Sequence, residues 1–181
     1  MSYINRTWLT AREYLAQLAG GLVQVGKSAS ASVTRPDNTT AYDELDVVGT
    51  DPATVLEFEG VSVSEGGFVA IMGVRLRIDA AAIPAGMATF RLHLYSSAPT
   101  AIADNDAYNL PSGDRAKYLG YITIPAPVDL GDTLQCQDDN VNLTVKLANG
   151  STTLYGILQT VGAYTPTALT VKQVTINTAE V

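Results

Sequence analysis

Two periodicities divide the chain. Over residues 1–27, Leu15, Leu18, Leu22 and Val25 recur at helical spacing, with Ala11 and Tyr14 beside them. Thr10 followed by Glu13 has the form of a capping box, and Gly20-Gly21 weakens and ends the pattern. This segment predicts a short helix in an N-terminal arm or docking element. From residue 28 the period falls to two. Extended strands are expected over 27–34, 44–48, 53–58, 68–80, 88–95, 117–124, 134–137 and 169–177. Arg35-Pro36-Asp37-Asn38, Gly49-Thr50-Asp51-Pro52 and Ile83-Pro84-Ala85-Gly86 punctuate them as turns.

The alternation also assigns faces. Met72, Val74, Leu76 and Ile78 are expected on one side of their strand, with Ile71, Gly73, Arg75 and Arg77 on the other. In the next strand Phe90, Leu92 and Leu94 should point inward, and Arg91, His93 and Tyr95 outward. Val141, Leu143, Val145 and Leu147 alternate up to Asn149-Gly150, and 152–158 alternates after it, which predicts a β-hairpin. Residues 96–113 form a long polar loop interrupted by Pro99 and Pro111, a candidate contact surface. Many short strands with a turn signal roughly every ten residues indicate an all-β fold. The expected architecture is an antiparallel β-sandwich of jelly-roll type over 28–181, with an N-terminal extension, 1–27, containing the short helix.

Composition sharpens this picture. Only 16% of residues are charged, against about 25% in typical globular domains. Much of the surface is therefore uncharged polar or in contact with partners. The net charge of −7 and the scattered eleven Lys and Arg argue against nucleic acid as a partner, since phosphate neutralisation needs a basic stripe. No run approaches the ~20 apolar residues of a membrane span, and residues 1–8 lack the apolar core of a signal peptide. Synthesis in the cytoplasm and no membrane partner are the corresponding expectations.

Candidate chemistry is sparse. His93 is the one histidine and Cys136 the one cysteine. His93 lies mid-strand with no Gly-x-Ser-x-Gly elbow to serve. Cys136 has Asp132, Asp138 and Asp139 nearby, which disfavour a thiolate. One Cys and one His cannot make a zinc site alone. Asp104-Asn105-Asp106 with Asp114, and Asp138-Asp139-Asn140, are oxygen-rich enough for calcium but lack EF-hand spacing, and such residues are common in turns. Glu57 and Glu59 share one side of a strand, as many exposed pairs do. No catalytic, metal or cofactor-binding residue is assigned, and no cofactor. Sequons at Asn5, Asn38, Asn142 and Asn149 mean little without a secretory signal. Tyr3, Trp8, Leu9, Tyr14, Leu15 and Leu18 concentrate aromatic and large apolar side chains in the N-terminal segment and are the candidate protein-interface residues.

Three stretches carry a resemblance: Val33-Thr34-Arg35-Pro36-Asp37-Asn38-Thr39-Thr40-Ala41-Tyr42 with Asp46-Val47-Val48-Gly49; Ala88-Thr89-Phe90-Arg91-Leu92-His93-Leu94-Tyr95 with Ala98–Asn105; and Asp114-Arg115-Ala116-Lys117-Tyr118-Leu119-Gly120-Tyr121-Ile122 with Asn149–Gly156. Over roughly residues 33–160 the chain resembles the jelly-roll head-decoration (cement) proteins of tailed bacteriophages. The resemblance implies attachment to the outer surface of a capsid, the major capsid protein as partner, assembly as a homodimer or homotrimer, and a place in the virion. It brings no catalytic residue. The alternative is a glycan- or receptor-binding jelly-roll module of a phage tail or fibre, with Tyr95, Tyr108, Tyr118 or Tyr155 stacking on sugar rings.

Overall fold

The computed structural model describes residues 26–181. The helix expected in the N-terminal segment, the boundary drawn at 27/28, and the interface residues Tyr3, Trp8, Leu9, Tyr14, Leu15 and Leu18 lie outside or at the limit of that range. The described chain is all-β: β1 (Gly26–Thr34), β2 (Leu56–Phe58), β3 (Phe68–Ile78), β4 (Phe90–Tyr95), β5 (Tyr118–Ile124), β6 (Val128–Asp129), β7 (Leu134–Asp138), β8 (Leu143–Lys146), β9 (Leu154–Thr160) and β10 (Val171–Glu180), with one 3-10 turn at Ser112–Asp114.

All pairings are antiparallel. One sheet runs β1-β10-β3-β7-β6, with β8 also on β3, and the other runs β2-β9-β4-β5. Setting aside β6, and treating β7 and β8 as one interrupted strand, leaves eight strands. The first lies beside the eighth and the second beside the seventh, in opposite sheets. That nested order is the double Greek key of a jelly roll. The strands bury their inward positions against each other: Phe58, Leu76, Phe90, Leu92, Leu94 and Ile176 are fully enclosed. Each such side chain contributes about 1.5–3 kcal/mol.

Three sequence expectations are corrected by this arrangement. The Asn149-Gly150 turn does not close a hairpin. β8 pairs with β3 and β9 with β4 and β2, so the turn carries the chain from one sheet to the other. Both flanking runs alternate because both cover the same core, from opposite sides. Within β3, Met72 is exposed and Ile71 buried. The register against β10 moves from Asn177↔Gly73 to Thr178↔Ile71, leaving Met72 as the extra residue of a β-bulge, and the faces exchange there. Beside the bulge the neighbour of β3 changes from β7 to β8. A Cβ on Gly73 would sit 3.1 Å from the Asp138 carbonyl and 3.2 Å from the Asp139 carboxylate, tighter than ordinary contact, so glycine lets the chain pass here without displacing its neighbours. Finally, 44–48 makes only isolated bridges, Asp46↔Ala107 and Val47↔Gln159, and the 53–58 strand shrinks to β2. The backbone of 45–48 is divided between β9 on one side and 106–108 on the other, so no single ladder forms.

Candidate partner-binding surface

The two sheets differ in what lies outside them. Residues 42–55 and 96–117 fold across the outer face of the four-stranded sheet and make a second, smaller core. Val47, Tyr95 and Ile157 are buried there, packed by Val55, Ile102, Tyr108, Leu110, Tyr118 and Tyr155. The long loop is therefore a fixed layer.

Polar bonds hold it from beneath. Arg35 follows β1, and its side chain is fully buried. Its Nε lies 3.4 Å from Asp104 Oδ2 and donates to Tyr42 Oη at 3.1 Å. Nη2 donates to the Thr40 carbonyl at 2.6 Å and Nη1 to the Asn38 carbonyl. Asp104 accepts from Tyr42 Oη at 2.5 Å and from the Gly49 amide at 3.0 Å. Burial and the Asp104 bond push the Tyr42 phenol far above its ordinary range. One carboxylate thus ties three separate segments together. At the far end Asp114 accepts from the Thr100 amide at 2.8 Å and from Lys117 Nζ at 3.0 Å. The Thr100 bond, then that to Lys117, hold its carboxyl below the usual range.

His93 is on the outer face as expected, but it is not open to solvent: only 4% of it is exposed. Tyr108 stacks on its ring at 3.7 Å between centroids. The hydrogen bonds fix its tautomer. Gln159 Nε2 donates to the Leu45 carbonyl at 2.8 Å, a group that can only accept. Gln159 Oε1 therefore faces His93, whose Nε2–H donates to it at 3.0 Å. Nδ1, bare in the neutral ring, accepts from Tyr118 Oη at 3.1 Å. Burial lowers the His93 pKa. The ring is a neutral strut with both nitrogens occupied.

The other sequence candidates are dispersed. Cys136 is buried in the main core, and desolvation pushes its thiol up to about 12. Asp104 and Asp114 are engaged with cations and amides of the covering layer. Asp138 caps the Asn140 amide at 2.9 Å, and Asp139 reaches Arg75 at 3.9 Å on the surface. Among the described residues no three His, Cys, Asp or Glu side chains converge on a metal position, and no helix is long and apolar enough to cross a membrane. Glu57 is exposed on β2, and its hydrogen bond to Tyr155, followed by burial, raises that phenol's pKa. The tyrosines of the sugar-binding alternative do come together: Tyr95 and Tyr118 lie 5.4 Å apart, and the Tyr95 and Tyr108 hydroxyls are 2.8 Å apart. They pack on one another, however, and Tyr95 is only 1% exposed.

No protein-family model matches the chain. No curated protein matches it in sequence. Among solved structures, a chain from the full particle of Israeli acute paralysis virus heated to 63 degrees is similar at 10% identity and a TM-score of 0.28, over 99% of this chain and 81% of that one. A likeness at that score carries no argument; the fold rests on the strand order above.

The outer side of the covering layer is a shallow groove of about 590 Å³, lined by Ala53, Ala101, Ala103, Ala107, Asn109 and Pro111 among others. Its walls are small and mostly uncharged, with Asp106 the one ionisable lining residue. Sequence reasoning marked the loop for its length. It missed Arg35, Tyr42 and Gln159, which fix it, because their partners lie far away in the sequence.

Proposed function

We propose that this protein is a structural component of a virion that attaches to the outside of a phage capsid, with the major capsid protein as its partner, and that it performs no chemistry. The observation that carries the reading is the covering layer: a loop of more than twenty residues held by a buried ion pair and presenting a groove of small side chains with a single carboxylate, Asp106, among them. A preformed surface loses little conformational entropy on binding, and depletion of charge is the compositional mark of interface cores. The resemblance of residues 33–160 to head-decoration proteins supports the same reading. So does the net charge of −7, which keeps an external protein from competing for packaged DNA. Many copies on one shell would add avidity without new contacts.

The test is binding of the full chain to purified phage heads from which decoration protein has been stripped, followed by sedimentation and cryo-electron microscopy. Stoichiometric binding is expected, with at least a tenfold loss for Ala107→Glu, which places a charge in the groove. Heads that leave the protein in the supernatant, or binding indifferent to Ala107→Glu, overturn the reading.

A further inference from the structure

The strand edges of the sandwich are unequal. Most are short or interrupted. β2 has three residues, β8 four and β6 two, the last directly after Pro127. β5 is broken by a register shift opposite Leu94/Tyr95, with Gly120 at φ 112° beside the extra Leu119. These are the usual ways of blunting an edge against unwanted pairing. β1 carries none of them. It runs nine residues, Gly26–Thr34, in unbroken register with β10. It holds no proline and no bulge, and its single charge is Lys27 near one end. Among the described residues β10 is the one backbone partner it has. Among the described residues nothing pairs with the other side of the strand, roughly 27 Å long at the rise of an extended chain.

We infer that β1 pairs antiparallel with β1 of a second copy, about a two-fold axis at Ser30, to join two six-stranded sheets into one. The sequence Gly-Lys-Ser-Ala-Ser-Ala-Ser-Val-Thr is complementary to itself in that register. Ser30 meets Ser30, Ser28 meets Ser32, Ala29 meets Ala31, Lys27 meets Val33 and Gly26 meets Thr34. No charge faces its like, which would be unfavourable directly across a ladder. No side chain is bulky enough to hold the backbones apart. Ser28, Ser30, Ser32 and Thr34 are exposed on the outer face, while Ala29 and Val33 face the core. At the seam the outer surface would therefore be uncharged and rich in hydroxyls, and the inner one apolar from Ala29 to Ala31, with Lys27 of each copy beside Val33 of the other at its two ends. An isologous contact of this kind closes on itself and stops at two. The pairing is a property of the free protein and does not depend on the capsid reading.

Light scattering coupled to gel filtration of the full chain tests it. The expected mass is twice 19.1 kDa. Ser30→Glu and Ser30→Lys each place two like charges face to face on the axis and should give the monomer mass. An equimolar mixture of the two variants should recover the dimer, because the charges then oppose each other. That recovery also shows that the single variants are folded. A monomeric or trimeric wild type, or a dimer that persists in Ser30→Glu, overturns the proposal.

Discussion

The two sheets enclose the same apolar core, yet their outer faces are built on different principles. The four-stranded face is covered. Its outward positions His93, Tyr95, Ile157 and Gln159 are buried beneath residues 42–55 and 96–117, and the cover is tied down by charged and aromatic groups. The six-stranded face is bare. Its outward positions are mostly hydroxyls and amides, among them Ser30, Thr175, Gln173, Gln135 and Gln137, with Arg75 and Arg77 between them; they bond to one another, as in Ser30 to Thr175 at 2.7 Å, Arg77 to Gln173 at 2.6 Å and Gln135 to Gln137 at 3.0 Å. Irregular backbone can be fixed on a sheet only if its polar groups find partners. The covered side supplies these with Arg35, Asp104 and Gln159. The bare side needs no such devices, because its backbone groups are already in ladders.

The contrast can be broken most sharply at Arg35. Arg35→Met leaves the Asp104 carboxylate, whose side chain is 2% exposed, without its cation, and should cost about 3–5 kcal/mol of unfolding free energy. Chemical denaturation measures the loss, and hydrogen exchange should place the first openings at 99–108 while the bare sheet keeps its protection. Lys172 sharpens the comparison from the opposite direction. It points inward from β10, 1% exposed, and among the described residues its Nζ has no hydrogen-bond partner. Desolvation lowers its pKa from 10.5 to about 8. A lysine whose folded pKa lies below its unfolded value makes stability rise with pH between those values, here from about 8 to 10.5. At neutral pH the buried cation costs about 3.5 kcal/mol, the shift of 10.5 to 8 converted at 1.4 kcal/mol per unit. Lys172→Met should therefore raise the melting temperature at pH 7 and remove most of the rise between pH 8 and 10. A variant no more stable than wild type, or an unchanged pH slope, contradicts this. On the bare face, Gln173→Ala should change stability by about 0.5 kcal/mol or less, a difference to be read from the denaturation midpoint.

How far the sequence carried this picture follows the same division. Strands that alternate against one core, such as 88–95 with Phe90, Leu92 and Leu94 inward, were legible because one face is buried whatever the partner strand. Period two says nothing about which sheet a strand joins, and so the 141–158 region read as a hairpin. Nor does it reveal a bulge, so Met72 and Ile71 were exchanged. The covering layer was legible only as length. Its anchors are tertiary: Arg35 reaches Asp104, and His93 reaches Gln159, across spans that local pattern does not register. Leu45 shows the same limit. It adopts φ 71°, unusual for a bulky side chain, with its carbonyl bonded to Gln159 Nε2 and to the Tyr108 amide.

The pairing of β1 with β10 sets the order in which the molecule can be completed. Ser30 waits for Thr175, 145 residues later. A nascent chain leaving the ribosome can collapse its middle strands early, but the larger sheet stays one partner short until its final segment emerges. During that interval the uninterrupted β1 edge has no native neighbour to occupy it. Synthesis at high local density, with many chains finishing side by side, is therefore the stage at which this fold is most open to joining the wrong copy.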